Sequence, residues 1–372
     1  MKQSIQLSVG GVFLASSLSL TSQVYGSGFA LIENSASGMG QAFAGAAAVA
    51  EDPSTIYFNP AGMTYLDGSQ LTAGLHIVRS KSEFNDKGST DPFRGAIIGN
   101  NEGGNAGGTH YIPNFYYVTE FGEGKYRFGL GVNAPFGLGT EYDDGWMGRY
   151  TSTKSELQTL NINPAFAFKG TDRLSIGVGF SLQYIDATLE SNINQTAFGA
   201  ADASAKVTGD TWNLGYNGGI IYEYAPQSKL GFHYRSSINH ELEGKVNYDG
   251  VLPALELIAG LVDKDASAGI DTPSAISASI AHQFNPQFTL LADITFTRWS
   301  NFKTLHVVGD DGSNIALTPE EWNDVLRYSL GMKYQPHEKW ILRTGIAHDE
   351  SPIDDEYRTT RIPGDDRFWL SF

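Results

Sequence analysis

Few residues of this 372-residue chain are arranged for covalent chemistry. Cysteine is absent, so there is no thiolate to serve as nucleophile or metal ligand. The 8 histidines are scattered and show no H-x-x-x-H spacing, and no G-x-S-x-G turn occurs. Asp143-Asp144 and Asp365-Asp366 are acidic pairs in loops, where solvated charge is the first reading and Ca²⁺ binding the second. This inventory predicts no enzyme, no metal and no cofactor. The distinctive chemistry belongs to the backbone. Proline has no N–H to give to a ladder and fixes φ, so Asn59-Pro60-Ala61 reads as a turn or irregular segment. In Asn133-Ala134-Pro135-Phe136-Gly137, Pro135 and Gly137 must kink or open a strand, or simply end it where a loop begins.

The elements that position these residues are strands. Leu174, Ile176, Val178, Phe180, Leu182 and Tyr184 are apolar, and the residues between them are small or polar. That strict period of two gives one apolar and one polar face. The connections supply what one strand cannot. Short ones at Phe121–Lys125, Gly170–Arg173, Pro226–Ser228, Asn285–Gln287 and Gln335–Lys339 alternate with long ones at Lys81–His110, Phe136–Ser155, Ser191–Asp210, Asp249–Asp271, Ser300–Leu326 and Glu350–Asp366. An up-and-down barrel of the outer membrane has this alternation, whereas a Greek-key sandwich does not. The fold class is therefore all-β: a transmembrane antiparallel β-barrel, residues 68–372.

Composition agrees. Mean hydropathy is −0.23 and, beyond residue 26, no apolar run is long enough for a membrane helix, a test that barrels escape because alternate residues face lipid. A net charge of −16 argues against a nucleic-acid partner. Met1–Gly26 has the Lys2 n-region, apolar centre and small-residue end of a secretory signal. Residues 27–67 form a separate unit, nearly uncharged and rich in Gly, Ala and Ser, suited to a plug inside the barrel. Ser35–Ala50 is a poor helix because of Gly38, Gly40 and Gly45. In the outer loops, Val251, Leu255, Ile258 and Val262 recur at helical spacing, and Thr318-Pro319-Glu320-Glu321 reads as the capped start of a short helix.

An ordered set of segments carries a family resemblance. Gly26-Ser27-Gly28-Phe29-Ala30-Leu31, the small-residue run and Asn59-Pro60-Ala61 are followed by Asn133–Leu138, Trp146, Arg149-Tyr150, Trp212-Asn213, His233–Ser236, Trp299–Phe302, Arg343–Ala347 and Asp366–Ser371. Together they resemble the long-chain fatty acid transporter (FadL/TodX-type) family of outer-membrane proteins over the whole length. The resemblance implies a monomeric Gram-negative outer-membrane barrel, embedded in outer-membrane lipid, that passes long-chain fatty acids by passive diffusion. Loops capture the ligand, a pocket beside the plug holds it, and a kink in strand three releases it sideways. Uptake of aromatic hydrocarbons is the alternative within the family, and a non-specific porin the alternative outside it.

The resemblance also implies sites. Asn59, Pro60 and Ala61 gate as part of the plug and sit against the opening at Asn133, Pro135 and Gly137. Phe29 lines the pocket with Leu31 nearby. Ser191 and His306 fall where the family places basic residues around a carboxylate, and neither is Arg or Lys, which favours a less acidic hydrophobic ligand, or a carboxylate held by Arg298 or Lys303 instead. The family barrel has fourteen strands. About twelve are expected here, with Arg367–Phe372 beginning the last, so the chain reads as lacking the C-terminal hairpin.

Overall fold

The computed structural model describes residues 28–90, 99–122 and 124–372. The secretory signal expected over Met1–Gly26 lies outside the described residues. Strands dominate, because alternating residues offer one face to lipid and the other to the interior. In order they are β1 (Gln70–Arg79), β2 (Thr109–Phe121), β3 (Tyr126–Asn133), β4 (Gly137–Glu141), β5 (Lys154–Lys169), β6 (Leu174–Ile193), β7 (Ala203–Ala225), β8 (Ser228–Arg235), β9 (Ile238–Asp249), β10 (Lys264–Thr272), β11 (Ala275–Asn285), β12 (Phe288–Thr297), β13 (Thr304–Gly309), β14 (Asn314–Pro319), β15 (Val325–His337), β16 (Trp340–Asp349) and β17 (Arg367–Ser371).

Every ladder among them is antiparallel and joins neighbours in an up-and-down order. Five passes are each split in two: β3/β4, β8/β9, β11/β10, β12/β13 and β15/β14. The described strands therefore make twelve passes. Among the described residues β1 pairs with β2 and β17 with β16, and no ladder joins β1 to β17. On β6 the faces separate as the sequence predicts: Phe180 is 66% exposed while Ser181 is 2% exposed. Four outer connections are shorter than expected, because pairing runs on through them; Ala203–Asp210 pairs with Asp186–Ile193 in unbroken register.

The interior holds residues 28–66. They form four short turns, α1 (Ala36–Met39), α2 (Ala46–Val49), α3 (Thr55–Phe58) and a 3₁₀ turn at Pro60–Tyr65. No single helix spans Ser35–Ala50. Ala42 and Phe43 lie at φ of 51° and 56°, a left-handed kink that splits the segment. Wall cations fasten it. Arg127 donates from Nε and Nη2 to the Leu66 carbonyl at 3.1 and 3.0 Å, Arg235 from Nη2 to the Tyr57 carbonyl at 2.9 Å, and Arg327 from Nη2 to the Ala42 carbonyl at 2.7 Å. Arg343 pairs with Glu51 at 2.9 Å, and Lys333 pairs with the same carboxylate. These short turns leave many carbonyls without an intrahelical donor, and the charged donors of the wall satisfy several of them.

Two further expectations change. The helix in the 250–263 loop is only α4 (Pro253–Ala259), and its apolar residues are not packed: Leu257 is 87% exposed. No helix starts at Thr318. That residue and Pro319 end β14, and the Glu320 and Glu321 N–H groups both turn to the Lys303 carbonyl at 2.9 and 3.1 Å.

The close fit of wall and interior gives the first prediction. A Cβ at Gly177 would lie 2.3 Å from the Ala61 nitrogen, against backbone that has nowhere to move. Gly177→Val is expected to abolish the compact, heat-modifiable species on unboiled SDS gels, while Val178→Ala, on the opposite face, retains it.

Candidate functional site

The barrel wall is discontinuous between β3 and β4. Asn133 pairs with Asn161 and Gly137 with Gln158, so three residues oppose two and the strand bulges. Pro135 has no N–H to lose there. Thr159 takes over for the ladder: its Oγ1 accepts from the Phe136 N–H at 3.0 Å and donates to the Phe136 carbonyl at 2.6 Å. The interior segment satisfies the rest. Leu31 N–H donates to the Pro135 carbonyl at 2.8 Å, and Gly137 N–H donates to the Phe29 carbonyl at 2.9 Å. Ala30 and Phe136 thereby form an antiparallel bridge. The approach is close: a Cβ at Gly137 would meet Leu31 Cδ1 at 2.9 Å, and that side-chain end would have to shift. On the far side, Thr109–Asn114 of β2 pairs with β1 and carries no ladder to β4 among the described residues. The result is a window in the wall's hydrogen-bond ladder. A Glu141 N–H to Ala106 carbonyl bond at 2.9 Å bounds its outer end, and the His110 ring lies over Gly139.

A row of buried amides crosses from the interior segment to the wall beside this window. Asn34 Nδ2 donates to the Leu31 carbonyl at 2.9 Å, Asn133 Nδ2 to Asn34 Oδ1 at 3.1 Å, and Asn161 Nδ2 to Asn133 Oδ1 at 3.0 Å. Tyr116 Oη donates to the Asn34 carbonyl at 3.0 Å. The bridge and the amide row together fix residues 29–34 against strand three.

An apolar cavity lies next to Phe29. Leu138 and Leu157 border it from β4 and β5, Leu189 from β6, Leu242 from β9, Ile270 from β10 and Leu305 from β13. Phe29 closes one side within an aromatic cluster. Its ring centroid is 4.8 Å from Trp299, 5.6 Å from Trp322, 5.8 Å from Phe302 and 5.9 Å from Phe136. One cation reaches the lining among the described residues, Arg361, from the connection between β16 and β17. Its Nη1 lies 3.2 Å from Ser155 Oγ and 3.4 to 3.5 Å from Ser152 Oγ and the carbonyls of Lys154 and Glu190. These acceptors are neutral, and burial pulls the guanidinium down to about 10. Glu156, the lining's carboxylate, is engaged by Lys154 at 3.3 Å.

Comparison with known proteins decides the family. The profile described as "Outer membrane protein transport protein (OMPP1/FadL/TodX)" matches residues 17–372. The chain belongs to this family. It is 28% identical over 387 aligned positions to the long-chain fatty acid transport protein of Escherichia coli strain K12, covering 95% of this chain and 84% of that protein. Among solved structures it resembles a Pseudomonas aeruginosa FadL homologue, with a TM-score of 0.80 at 26% identity, covering 92% of this chain and 86% of the other. The Ralstonia pickettii toluene transporter TbuX shares the fold, with a TM-score of 0.65 at 22% identity, covering 82% of this chain and 84% of the other. Like the rest of the OMPP1/FadL/TodX family, the chain is an outer-membrane β-barrel and not an enzyme.

Among the residues that the family resemblance singled out, Phe29 lines the cavity, and Leu31 lies at the break instead. Asn133, Pro135 and Gly137 flank the window. Asn59, Pro60 and Ala61 do not sit against it. Asn59 Nδ2 donates to the carbonyls of Ala47 at 2.7 Å, Ile220 at 3.1 Å and Phe232 at 3.3 Å, so the triplet packs on β6, β7 and β8, and residues 29–31 occupy the place expected for it. Ser191 is paired with Ala205 high on β6 and is not in the lining. His306 alternates with the lining residues Leu305 and Val307, so it faces away, and its Nε2 lies 2.7 Å from Asn314 Oδ1. Arg298 and Lys303 are exposed. Arg361 was the residue missed. Nothing periodic marks a loop arginine, and only the fold of the 350–366 connection carries it to the cavity.

Thr159 offers a test of the break. Thr159→Val leaves the Phe136 N–H and carbonyl without their partner, at a cost of about 1–3 kcal/mol for a buried polar group left unpaired. Amide exchange of residues 134–137 is expected to quicken in the folded barrel while that of β6 stays unchanged.

Proposed function

We propose that this barrel takes up hydrophobic monocarboxylates, long-chain fatty acids foremost, by passive diffusion. The observation that carries the proposal is the apolar cavity with one cation, Arg361, at its edge. An acyl chain needs carbon-lined volume, and its head needs a donor in a place where little else competes. Arg361 suits that role: its acceptors are neutral and long, so a carboxylate would gain a charge-assisted bond that the resting site lacks. The name of the Escherichia coli relative points the same way.

In this reading residues 27–67 are the plug and the bridge at Phe29–Leu31 is its latch. Ligand enters between the outer loops, where the exposed apolar residues of α4 offer a first foothold. Filling the cavity presses on Phe29, whose carbonyl is one partner of the latch. Release of Leu31 from Pro135 opens the window, and the ligand leaves sideways into the bilayer. An apolar molecule then never has to cross the periplasmic mouth as a free solute. The aromatic cluster around Phe29 gives the second reading, uptake of aromatic hydrocarbons, some footing, and the burial of much of residues 28–66 speaks against the porin reading.

Binding of radiolabelled oleate to detergent-folded protein separates these readings. Arg361→Ala is expected to weaken oleate by at least about tenfold, the worth of a hydrogen bond to a charged group, and to leave oleyl alcohol nearly unchanged. Phe29→Ala should weaken both. Oleate binding that resists Arg361→Ala and yields to toluene would favour the hydrocarbon reading.

A further inference from the structure

Behind the aromatic cluster lies a carboxylate that uptake as described does not use. Glu320 is 1% exposed. Its backbone N–H is held by the Lys303 carbonyl, and its Oε2 accepts from Trp322 Nε1 at 3.0 Å. Oε1 has no partner. Trp322 in turn packs at an angle against Phe29 and Phe302, both in the cavity lining, at centroid distances of 5.6 and 4.9 Å. A buried carboxylate with an orphaned oxygen is costly, and it stays charged only where a cation compensates.

Arg361, the cavity's own cation, borders the same cavity as Phe29 and Phe302, the rings on which Trp322 packs, and its charge opposes the rise that burial imposes on Glu320. The other charges on the flanking segments are committed elsewhere. Lys303 pairs with Glu321 at 3.4 Å, and Arg358 with Asp355 at 2.7 Å and Asp365 at 3.7 Å. Asp324 accepts from the Ser300 N–H, Glu350 from the Leu326 N–H and Asp354 from Asn323 Nδ2. Arg298 is exposed and points to no carboxylate in the described contacts. Arg361 has no direct carboxylate partner among the described residues, so the two charges act through the dry interior rather than as a closed pair.

We infer that Glu320 is the internal counter-charge of Arg361, and that an anionic ligand arriving at Arg361 drives a proton from solvent onto Glu320. The inference rests on the reading of Arg361 as the head-group anchor. Two carboxylates cannot share one buried guanidinium cheaply, and of the two only Glu320 has an oxygen left open for a proton. Burial already pushes Glu320 up to about 7, so its proton is within reach at ordinary pH. The sign follows. Above that value Glu320 is charged before ligand binds and must be neutralised, so affinity falls as pH rises; below it the proton is already present and affinity is flat. The device makes Glu320 a selectivity residue: it holds anions to a pH-dependent affinity and leaves neutral hydrophobes alone.

The probe is dodecanesulfonate, whose own charge does not titrate, with the folded full chain in a non-ionic detergent. Wild-type affinity is expected to fall about tenfold from pH 6 to pH 8, by proton linkage. Glu320→Gln should be flat over that range and bind more tightly than wild type at pH 8, a gain that misfolding cannot mimic. Wild-type calorimetry at pH 8 in buffers of different ionisation enthalpy should register close to one proton taken up per ligand, whether or not the variant folds. Wild-type binding that is saturable but flat with pH, with no proton uptake, would overturn the inference and leave the uptake reading standing. If neither oleate nor the sulfonate binds at any pH, both fall.

Discussion

A wall strand in a bilayer has no water to satisfy a broken ladder, and each unpaired backbone group there costs several kcal/mol. That constraint organises the molecule around one place. Strand three is interrupted at Pro135, and the groups freed by the interruption find partners in the Thr159 hydroxyl and in the backbone of residues 29–31. The interior segment therefore completes the wall as well as filling the lumen. Its position is held from several sides, by Arg127, Arg235 and Arg327 on its carbonyls, by Glu51 between Lys333 and Arg343, and by Asn59 on β7 and β8. The part that touches the break is fixed more lightly, by two backbone bonds and a row of amides. In the proposed function that difference matters. A gate has to open at a few bonds while the rest stays put, and neutral hydrogen bonds are worth only about 0.5–1.5 kcal/mol each net, less than the charge-assisted bonds that hold the remainder.

In the proposed cycle binding and gating meet at Phe29. Its ring borders the cavity and its carbonyl accepts the Gly137 N–H across the break. In the proposed cycle, a ligand that displaces the ring strains the bond without any separate signal path. Glu320 lies behind the same aromatic cluster, bonded to Trp322, and Arg361 lines the cavity in front of it, so head-group chemistry and the latch share one body of rings. The cluster's tight packing, with Gly28 pressed between Trp299 and Trp322, leaves it little freedom to absorb a ligand without moving as a unit.

The sequence disclosed the wall far better than the site. Period two on β6 needs only the chemistry of alternate residues, and the order of short and long connections follows from the chain crossing a membrane. Pro135 and Gly137 marked the place as a break or a strand end, because proline's missing N–H is a local fact, and only the family resemblance favoured the break. Local facts failed where the partner came from far away. Thr318–Glu321 has the side chains of a helix start, yet Lys303 claims its N–H groups. His306 and Ser191 have the right strands but not the right face or height, since one step in a period of two turns a side chain away from the cavity. Arg361 and Glu320 sit in irregular connections, where no periodicity relates residue number to position in space.

The central claim is that residues 29–31 must part from strand three for ligand to leave. Ala30 and Phe136 are a non-hydrogen-bonded antiparallel pair, the arrangement in which facing Cα atoms are closest and a disulfide fits. The chain has no cysteine of its own, so Ala30→Cys with Phe136→Cys makes a single, defined staple. Uptake of labelled oleate by cells or liposomes carrying this variant should be measured oxidised and after reduction, with binding measured in parallel. The account predicts that the oxidised protein still binds oleate but does not pass it, and that reduction restores transport. Equal transport in the two states would contradict it.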